Sequence, residues 1–382
     1  MRLHVVSFDI PWPANYGGVM AVFYQLRALH RAGVQVVLHC FQYGGRPPQA
    51  TLNQYCERVY YYARSRSLWH QWSAEPFIVR TRKHPALLEH LREDDAPILF
   101  EGLHTAGWLG HPALRARRKV LRMHNIEWQY YAQLAHSSAS LAQRLYFWIE
   151  SKRLRRAERQ LLPFAQDLLA LSPTERDYFA RHYPVRAHYL PVFHPYEQVS
   201  GLPGRGDYVL FHGKLSVPDN ERAVLWLLEE VFAHLPEVPF VVAGMAPSER
   251  LRAAIARRLN ATLVADPDEE RMDALIQQAQ AHVLVSFQSS GVKLKLLSAL
   301  FRGRHCIANH HALAGTELHA LCRVASNAWE MRRAVRAAWE APFTEDDLAQ
   351  RRPVLEQRYS NSTNAQRLLA ILTEGNELST AP

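Results

Sequence analysis

Residues 3–40 read LHVVSFDIPWPANYGGVMAVFYQLRALHRAGVQVVLHC. The run 3–10 is apolar and rich in branched side chains, as a strand covered on both faces requires. Pro11, Pro13, Gly17 and Gly18 interrupt it. From Val19 the apolar residues recur at helical spacing, through Val22, Phe23, Leu26 and Leu29, because positions three and four apart share a helix face. Gly33 closes that helix, and VQVVLHC (34–40) is a second short strand. Strand, glycine loop, helix, glycine stop, strand is the grammar of a parallel α/β sheet.

The grammar returns in the second half. YVLFHG (208–213), PFVVAG (239–244), AHVLVSF (281–287) and HCIAN (305–309) read as strands. Residues 220–234, 247–259 and a segment from about Val292 read as helices between them. The spacing therefore predicts an α/β protein of two Rossmann-like, doubly wound domains. The stretch LPVFHPYEQVSGLPGRGDY (190–208) holds three prolines and three glycines, and such clusters mark linkers. The expected division is 1–198, 199–345 and a helical tail 346–382 packing back on the first domain.

A chain of 382 residues with 48% hydrophobic content exceeds one typical core, which agrees with two domains. The formal charge is +9, which speaks of partners rather than fold. Phosphorylated small molecules and anionic membrane surfaces fit it; nucleic acid is not expected, because no reading module is present. A long helical region, roughly Ser138–Leu162, carries Arg144, Lys152, Arg153, Arg155, Arg156 and Arg159 together with LYFWI (145–149). It reads either as a surface helix with an aromatic core stripe or as a basic, aromatic face for peripheral contact with lipid headgroups. RARRKVLR (115–122) adds to the same basic half.

Cys40, Cys56, Cys306 and Cys322 form no CxxC pair, which suggests a reducing compartment. The twenty histidines show no HExxH spacing, so no metal is expected. No apolar leader with a cleavage site and no run of eighteen apolar residues occurs. The expectation is a cytoplasmic protein, with membrane contact at most peripheral and at the inner face.

Ligands of open α/β sheets bind beyond the carboxyl ends of the strands. Four loops occupy such positions: 11–18, 124–127, 212–220 and 288–292. Gly17 and Gly18 let backbone amides approach a ligand or simply make a tight turn. His124, just past KVLRM, suits a hydrogen bond to a sugar hydroxyl or to a nearby carbonyl. Lys214 follows Gly213 at a strand end, where an ammonium suits a diphosphate. In SSGVKLKLLSALF (289–301), Leu294, Leu297, Leu300 and Phe301 mark a helix starting near Val292. Lys293 and Lys295 then fall in its first turn, where the helix dipole disfavours cations unless an anion is shared. No GxGxxG or GxxxxGK[ST] stands at a strand-to-helix junction, which argues against a dinucleotide dehydrogenase and a P-loop ATPase.

At these residues the chain resembles retaining family 4 glycosyltransferases of the GT-B type. The resemblance rests on Pro13, Gly17 and Gly18 before the first helix, MHNIEWQYY with the ExxRLRRAERQLL helix, LSPTERDYF, FHGKLSVPDN, VVAGMAPSERL and SSGVKLKLLSALFRGRHCIAN. It implies two domains facing across a cleft, the second holding a nucleoside-diphosphate sugar and the first facing a glycan or lipid-linked acceptor. It further implies that Lys214 and Lys293 or Lys295 bind the diphosphate, that Gly17 and Gly18 approach it, and that His124 sits by the donor sugar. Gly213, Ser290, Gly291, Val292 and Ser298 complete the implied donor contacts. No cofactor or metal is implied beyond the nucleotide-sugar co-substrate. One departure stands out. The family's two glutamates, with seven residues between them, correspond here to Ser290 and Ser298. Two expectations follow: retaining sugar transfer in cell-surface polysaccharide or glycolipid synthesis, or a weak or inactive homologue that binds nucleotide-sugar or a partner.

Overall fold

Each half of the chain builds a parallel sheet whose strand order reverses once, and that reversal positions the site. The computed structural model describes residues 1–42, 45–65, 73–138, 140–288 and 291–374. Two compact units divide the chain: Met1–His194 together with Asn361 onwards, and Pro195–Ser360.

The first unit runs β1 (Arg2–Ser7), α1 (Gly17–Arg31), β2 (Gln35–Gln42), β3 (Arg58–Ala63), α2 (Phe77–Arg80), α3 (Pro85–Leu91), β4 (Ile98–Glu101), β5 (Lys119–Met123), α4 (Glu127–Ser137), α5 (Leu141–Leu161), β6 (Asp167–Ala170), α6 (Pro173–His182) and β7 (Arg186–Tyr189). The strands pair in the order β3-β2-β1-β4-β5-β6-β7, all parallel. Parallel strands need crossovers and are covered on both faces. Here Val5, Leu38 and Val36 pack with Val22, Leu26 and Leu29 of α1 on one face. Val6, Phe100 and Leu121 pack with Leu87, Leu154 and Phe179 on the other.

The second unit runs β8 (Val209–His212), α7 (Pro218–Trp226), β9 (Phe240–Gly244), α8 (Glu249–Ala256), β10 (Ala261–Ala265), α9 (Glu269–Gln278), β11 (Ala281–Leu284), α10 (Leu294–Arg302), β12 (His305–Ala308), α11 (His310–Leu313), β13 (Arg323–Val324), α12 (Ala328–Glu340) and α13 (Glu345–Arg358). Its order is β10-β9-β8-β11-β12-β13. Backbone approach is tight at the ends of β8 and β9. A Cβ on Gly244, whose φ is +158°, would stand 1.7 Å from the Gly213 carbonyl oxygen, so no other residue fits there.

The last helix, α14 (Asn361–Thr373), belongs to the first unit. Ala365, Leu368, Ile371 and Leu372 enter the same core as α1. The division expected at 198/199 falls at His194/Pro195, and the tail splits at Ser360 rather than at 346. The reason is α13. Its Arg351 is buried and donates to the carbonyls of Leu300 (3.1 Å) and Gly303 (2.8 Å), and its Glu356 accepts from the Val199 amide at 2.9 Å.

The basic string 115–122 is not a surface patch. Arg117, Lys119 and Arg122 are buried, and Arg118 pairs with the buried carboxylate of Asp167. Strand β5 alternates into both layers, so its cations satisfy interior acceptors. The long helical region expected over 138–162 is the single helix α5, Leu141–Leu161; Leu145, Tyr146 and Trp148 are exposed on it instead of forming a core stripe, as the second reading of that region requires.

Candidate active site

In the second unit the order reverses between β8 and β11, the place where doubly wound sheets open a crevice for ligands. The loops after these two strands carry the expected lysines. Asp219, in the first turn of α7, ties them together: its carboxylate accepts from Ser286 Oγ at 2.7 Å and from the Phe287 amide at 3.0 Å. Asn220 does the same for the side chains. Its Nδ2 donates to the Lys214 carbonyl at 2.9 Å, and its Oδ1 accepts from Lys295 Nζ at 2.9 Å. Lys295 also lies over the Phe211 ring, 4.3 Å from its centroid.

Helix α10 starts at Leu294, two residues later than the spacing predicts. Gly291 takes φ +69° and Lys293 is extended, φ −84° and ψ 100°, which delays the first helical turn. Lys295 is therefore in that turn, whereas Lys293 caps it. Val292 precedes the helix and is half-buried. Burial pulls the Lys295 ammonium down to about 7, opposed by the nearby Asp219 carboxylate and reinforced by Lys293. Near it His212 is buried, with no hydrogen-bond partner on either ring nitrogen among the described residues. Desolvation, then the Lys295 charge, pushes His212 to about 3, so the ring is neutral. The result is an amine poised between its neutral and charged forms at the positive end of a helix, over an aromatic floor. Such an arrangement holds an anion better than it holds itself.

In the first unit the reversal lies between β1 and β4. His124 sits one residue beyond β5, and its Nε2 is 2.8 Å from Oε2 of the buried Glu101 at the end of β4. The other Glu101 oxygen accepts from Gln25 Nε2 at 2.7 Å, and Arg122 bonds Gln25 Oε1 in turn. Burial works to raise the Glu101 pKa, but the His124 bond and the Arg122 charge hold it below the usual carboxylate value. The Phe8 ring packs edge-on against His124, 5.3 Å between centroids, and lies tilted against His104 at 5.5 Å. His104 is kept neutral by burial first and then by Arg82.

The family comparison agrees with this geometry. Residues 16–195 match the Glycosyltransferase Family 4 model and residues 206–338 match Glycosyl transferases group 1. The chain is a GT-B glycosyltransferase. It is 27% identical over 316 residues, 78% of its length and 80% of the relative's, to a protein of Klebsiella pneumoniae described as an uncharacterized 44.6 kDa protein in the cps region. The solved α,α-trehalose-phosphate synthase of Burkholderia xenovorans, in complex with glucose-6-phosphate, shares the fold with TM-score 0.65. That match is 12% identical and covers 97% of this chain and 99% of the other. Anabaena Alr3699/HepE, in complex with UDP and glucose, gives TM-score 0.57 at 13% identity, with 100% of both chains covered.

In this glycosyltransferase the structure joins Gly213, Lys214, Lys293 and Lys295 in one neighbourhood. Ser298 lies a turn further along α10, and its hydroxyl accepts from Tyr196 at 2.8 Å while donating to the Leu294 carbonyl at 3.3 Å. Ser290 lies outside the described residues. Gly17 opens α1. A Cβ on Gly18 would stand 2.8 Å from Phe8 Cζ, so this glycine has a packing reason of its own. Glu101, Gln25, Asp219 and Asn220 were not singled out from the sequence. An apolar strand ending in a carboxylate, ILFE (98–101), is the only signal that marks Glu101.

Proposed function

We propose that this glycosyltransferase moves a sugar from a nucleoside-diphosphate sugar to a hydroxyl acceptor with retention at the anomeric carbon, in synthesis of a cell-surface polysaccharide or glycolipid. The carrying observation is Lys295, held by Asn220 and Phe211 at the start of α10, where the sheet order reverses. The cps region in the relative's description supports the polysaccharide setting.

The barrier to transfer is separation of a diphosphate from an oxocarbenium-like sugar. Lys295, Lys293 and Lys214, with the α10 dipole, stabilise the charge that develops on the leaving oxygen. They take the part a divalent cation plays elsewhere, so the reaction as proposed uses no metal. The leaving phosphate receives the acceptor proton on the face it departs from, which accounts for retention. His124, oriented by Glu101, is assigned to a hydroxyl of the reacting sugar. The setting proposed is cytoplasmic, at the inner face of a membrane.

The test is transfer assayed with UDP-, GDP- and ADP-sugars, chosen by thermal shift. Saturating donor should add about 2–4 kcal/mol of apparent stability. Lys295→Ala, Lys293→Ala and Lys214→Ala should each lower turnover more than about a hundredfold, the usual effect of losing one such donor. Near-normal transfer in all three rejects the assignment. A second reading has one observation in its favour. The Ser298 hydroxyl is already engaged by Tyr196, so it is not a simple substitute for the family's glutamate. A homologue that binds nucleotide-sugar without transferring it would show the thermal shift with no product.

A further inference from the structure

Several of the exposed large apolar side chains crowd into one place, the first two turns of α5. Leu141 is 78% exposed, Leu145 58% and Trp148 54%. A soluble helix ordinarily turns such residues inward. Here the inward face is formed by Glu150, Ser151, Leu154, Ala157 and Glu158, which leaves the aromatic and leucine side chains outside.

The outward stripe continues along the same face. Positions 141, 145, 148, 152, 156 and 159 are spaced by three or four residues, so they line one side of the helix. Lys152, Arg156 and Arg159 are exposed, and Lys152 Nζ lies 5.6 Å from the Trp148 ring centroid. Both acidic residues of α5 are buried, as is Glu127, the acid of α4. The exposed face thus carries apolar groups at one end, cations at the other and no carboxylate.

We propose that this stripe docks the protein on an anionic lipid bilayer. Leu141, Leu145 and Trp148 enter the boundary between headgroups and acyl chains, while Lys152, Arg156 and Arg159 lie on lipid phosphates. Surface helices bind in this way, through apolar burial plus attraction to anionic lipid, and tryptophan favours that interface. A second copy of the same stripe is a poor partner, because it brings no carboxylate to face the cations. No helix among the described residues is long and apolar enough to span a membrane, so the contact is peripheral. The inference does not depend on the proposed transfer reaction, since its readout is binding alone.

The experiment is sedimentation of the full chain with mixed phosphatidylglycerol–phosphatidylcholine vesicles and with phosphatidylcholine vesicles. Binding should be at least about tenfold stronger on the anionic vesicles and should weaken with added salt. Arg156→Glu/Arg159→Glu and Leu145→Ser/Trp148→Ser should each weaken it at least about tenfold while keeping the thermal midpoint. Arg250→Glu/Arg257→Glu, the same charge change on an exposed face of the second unit, should leave it intact. In the otherwise unaltered chain, brominated lipid should quench fluorescence that Trp148→Phe removes. Four results overturn the proposal: equal binding to both vesicles, equal loss in the control pair, unchanged binding in both α5 pairs, or a smaller oligomer in the α5 variants.

Discussion

Lys295 carries its charge reluctantly. With its pKa drawn down by burial from the ordinary 10.5 to about 7, it is about half-protonated at neutral pH. A bound diphosphate favours the charged form, so donor binding should take up a proton. Below pH 7 the ammonium is already formed and affinity is highest. From pH 7 upward affinity should fall, approaching about tenfold per pH unit, because the diphosphate of a nucleotide-sugar does not titrate there. Calorimetry in two buffers of different ionisation heat reads the proton directly; Lys295→Met should flatten the profile, and a flat profile in the unaltered protein contradicts the assignment. Glu101 makes the opposite case, a carboxylate kept charged by Arg122 and His124. Glu101→Gln should cost about 3–5 kcal/mol in denaturant unfolding, since it leaves a buried charge uncompensated, and should lower kcat by freeing the His124 ring. Residue by residue, the lysines were legible because a helical period surrounds them. Glu101 and Asn220 were not, because their roles come from strands and helices brought together across 23 residues and 75 residues.

At the scale of elements, the hydrophobic period located β1, α1, β2, α5, β8, β9, β11, α10 and β12 and passed over the short or edge strands β3, β4, β6, β7, β10 and β13; it does not decide which faces are buried. Within LYFWI, Leu145, Tyr146 and Trp148 stand outside while Phe147 and Ile149 are half-buried; RARRKVLR looks like surface and is largely inside. Apolar character sets a preference for burial, whereas the neighbouring elements decide whether a cover exists. The packing of α4 on α5 also sets a pH dependence. Glu127 is pushed up to about 8, by desolvation and then by Glu158, and Glu158 is pushed up to about 7 by desolvation against a bond from Tyr183. Both folded pKa values exceed that of the unfolded chain, so the folded state holds more protons. Stability is fully present below the unfolded value of 4.5 and is lost as pH rises through 7 to 8. The loss is about 1.4 kcal/mol per pH unit for each group while it lasts. Thermal midpoints should therefore fall between pH 5 and pH 8, and Glu127→Gln or Glu158→Gln should remove part of that slope. A midpoint that rises over this range would contradict the charge state assigned to the pair.

For the whole molecule, the chain leaves its first unit at His194 and returns to it at Asn361. Asn361 fixes both sides of that junction. Its Nδ2 donates to the His194 carbonyl at 2.6 Å, and its Oδ1 accepts from the His194 amide at 3.2 Å. Beyond it, Leu368 is fully buried in the core shared with α1, and the Ile371 carbonyl accepts from Arg118 at 2.5 Å. A tail that packs back was readable from its helical period; where it parts from α13 was not, because both segments are helical and only their buried partners differ. The first unit is consequently incomplete until α14 is made, although the second unit is continuous in sequence. Leu368→Ala should cost about 2–5 kcal/mol, the range for truncating a buried leucine, and the loss should fall on the first unit. Calorimetry should show one transition moving down while the other, containing Lys295 and the nucleotide-responsive shift, stays in place. If donor still protects the unmoved transition in the Leu368→Ala protein, the diphosphate lysines and the returning helix belong to separately folding bodies. If both transitions fall together, unfolding of the first unit carries the second with it, and the two-body description fails.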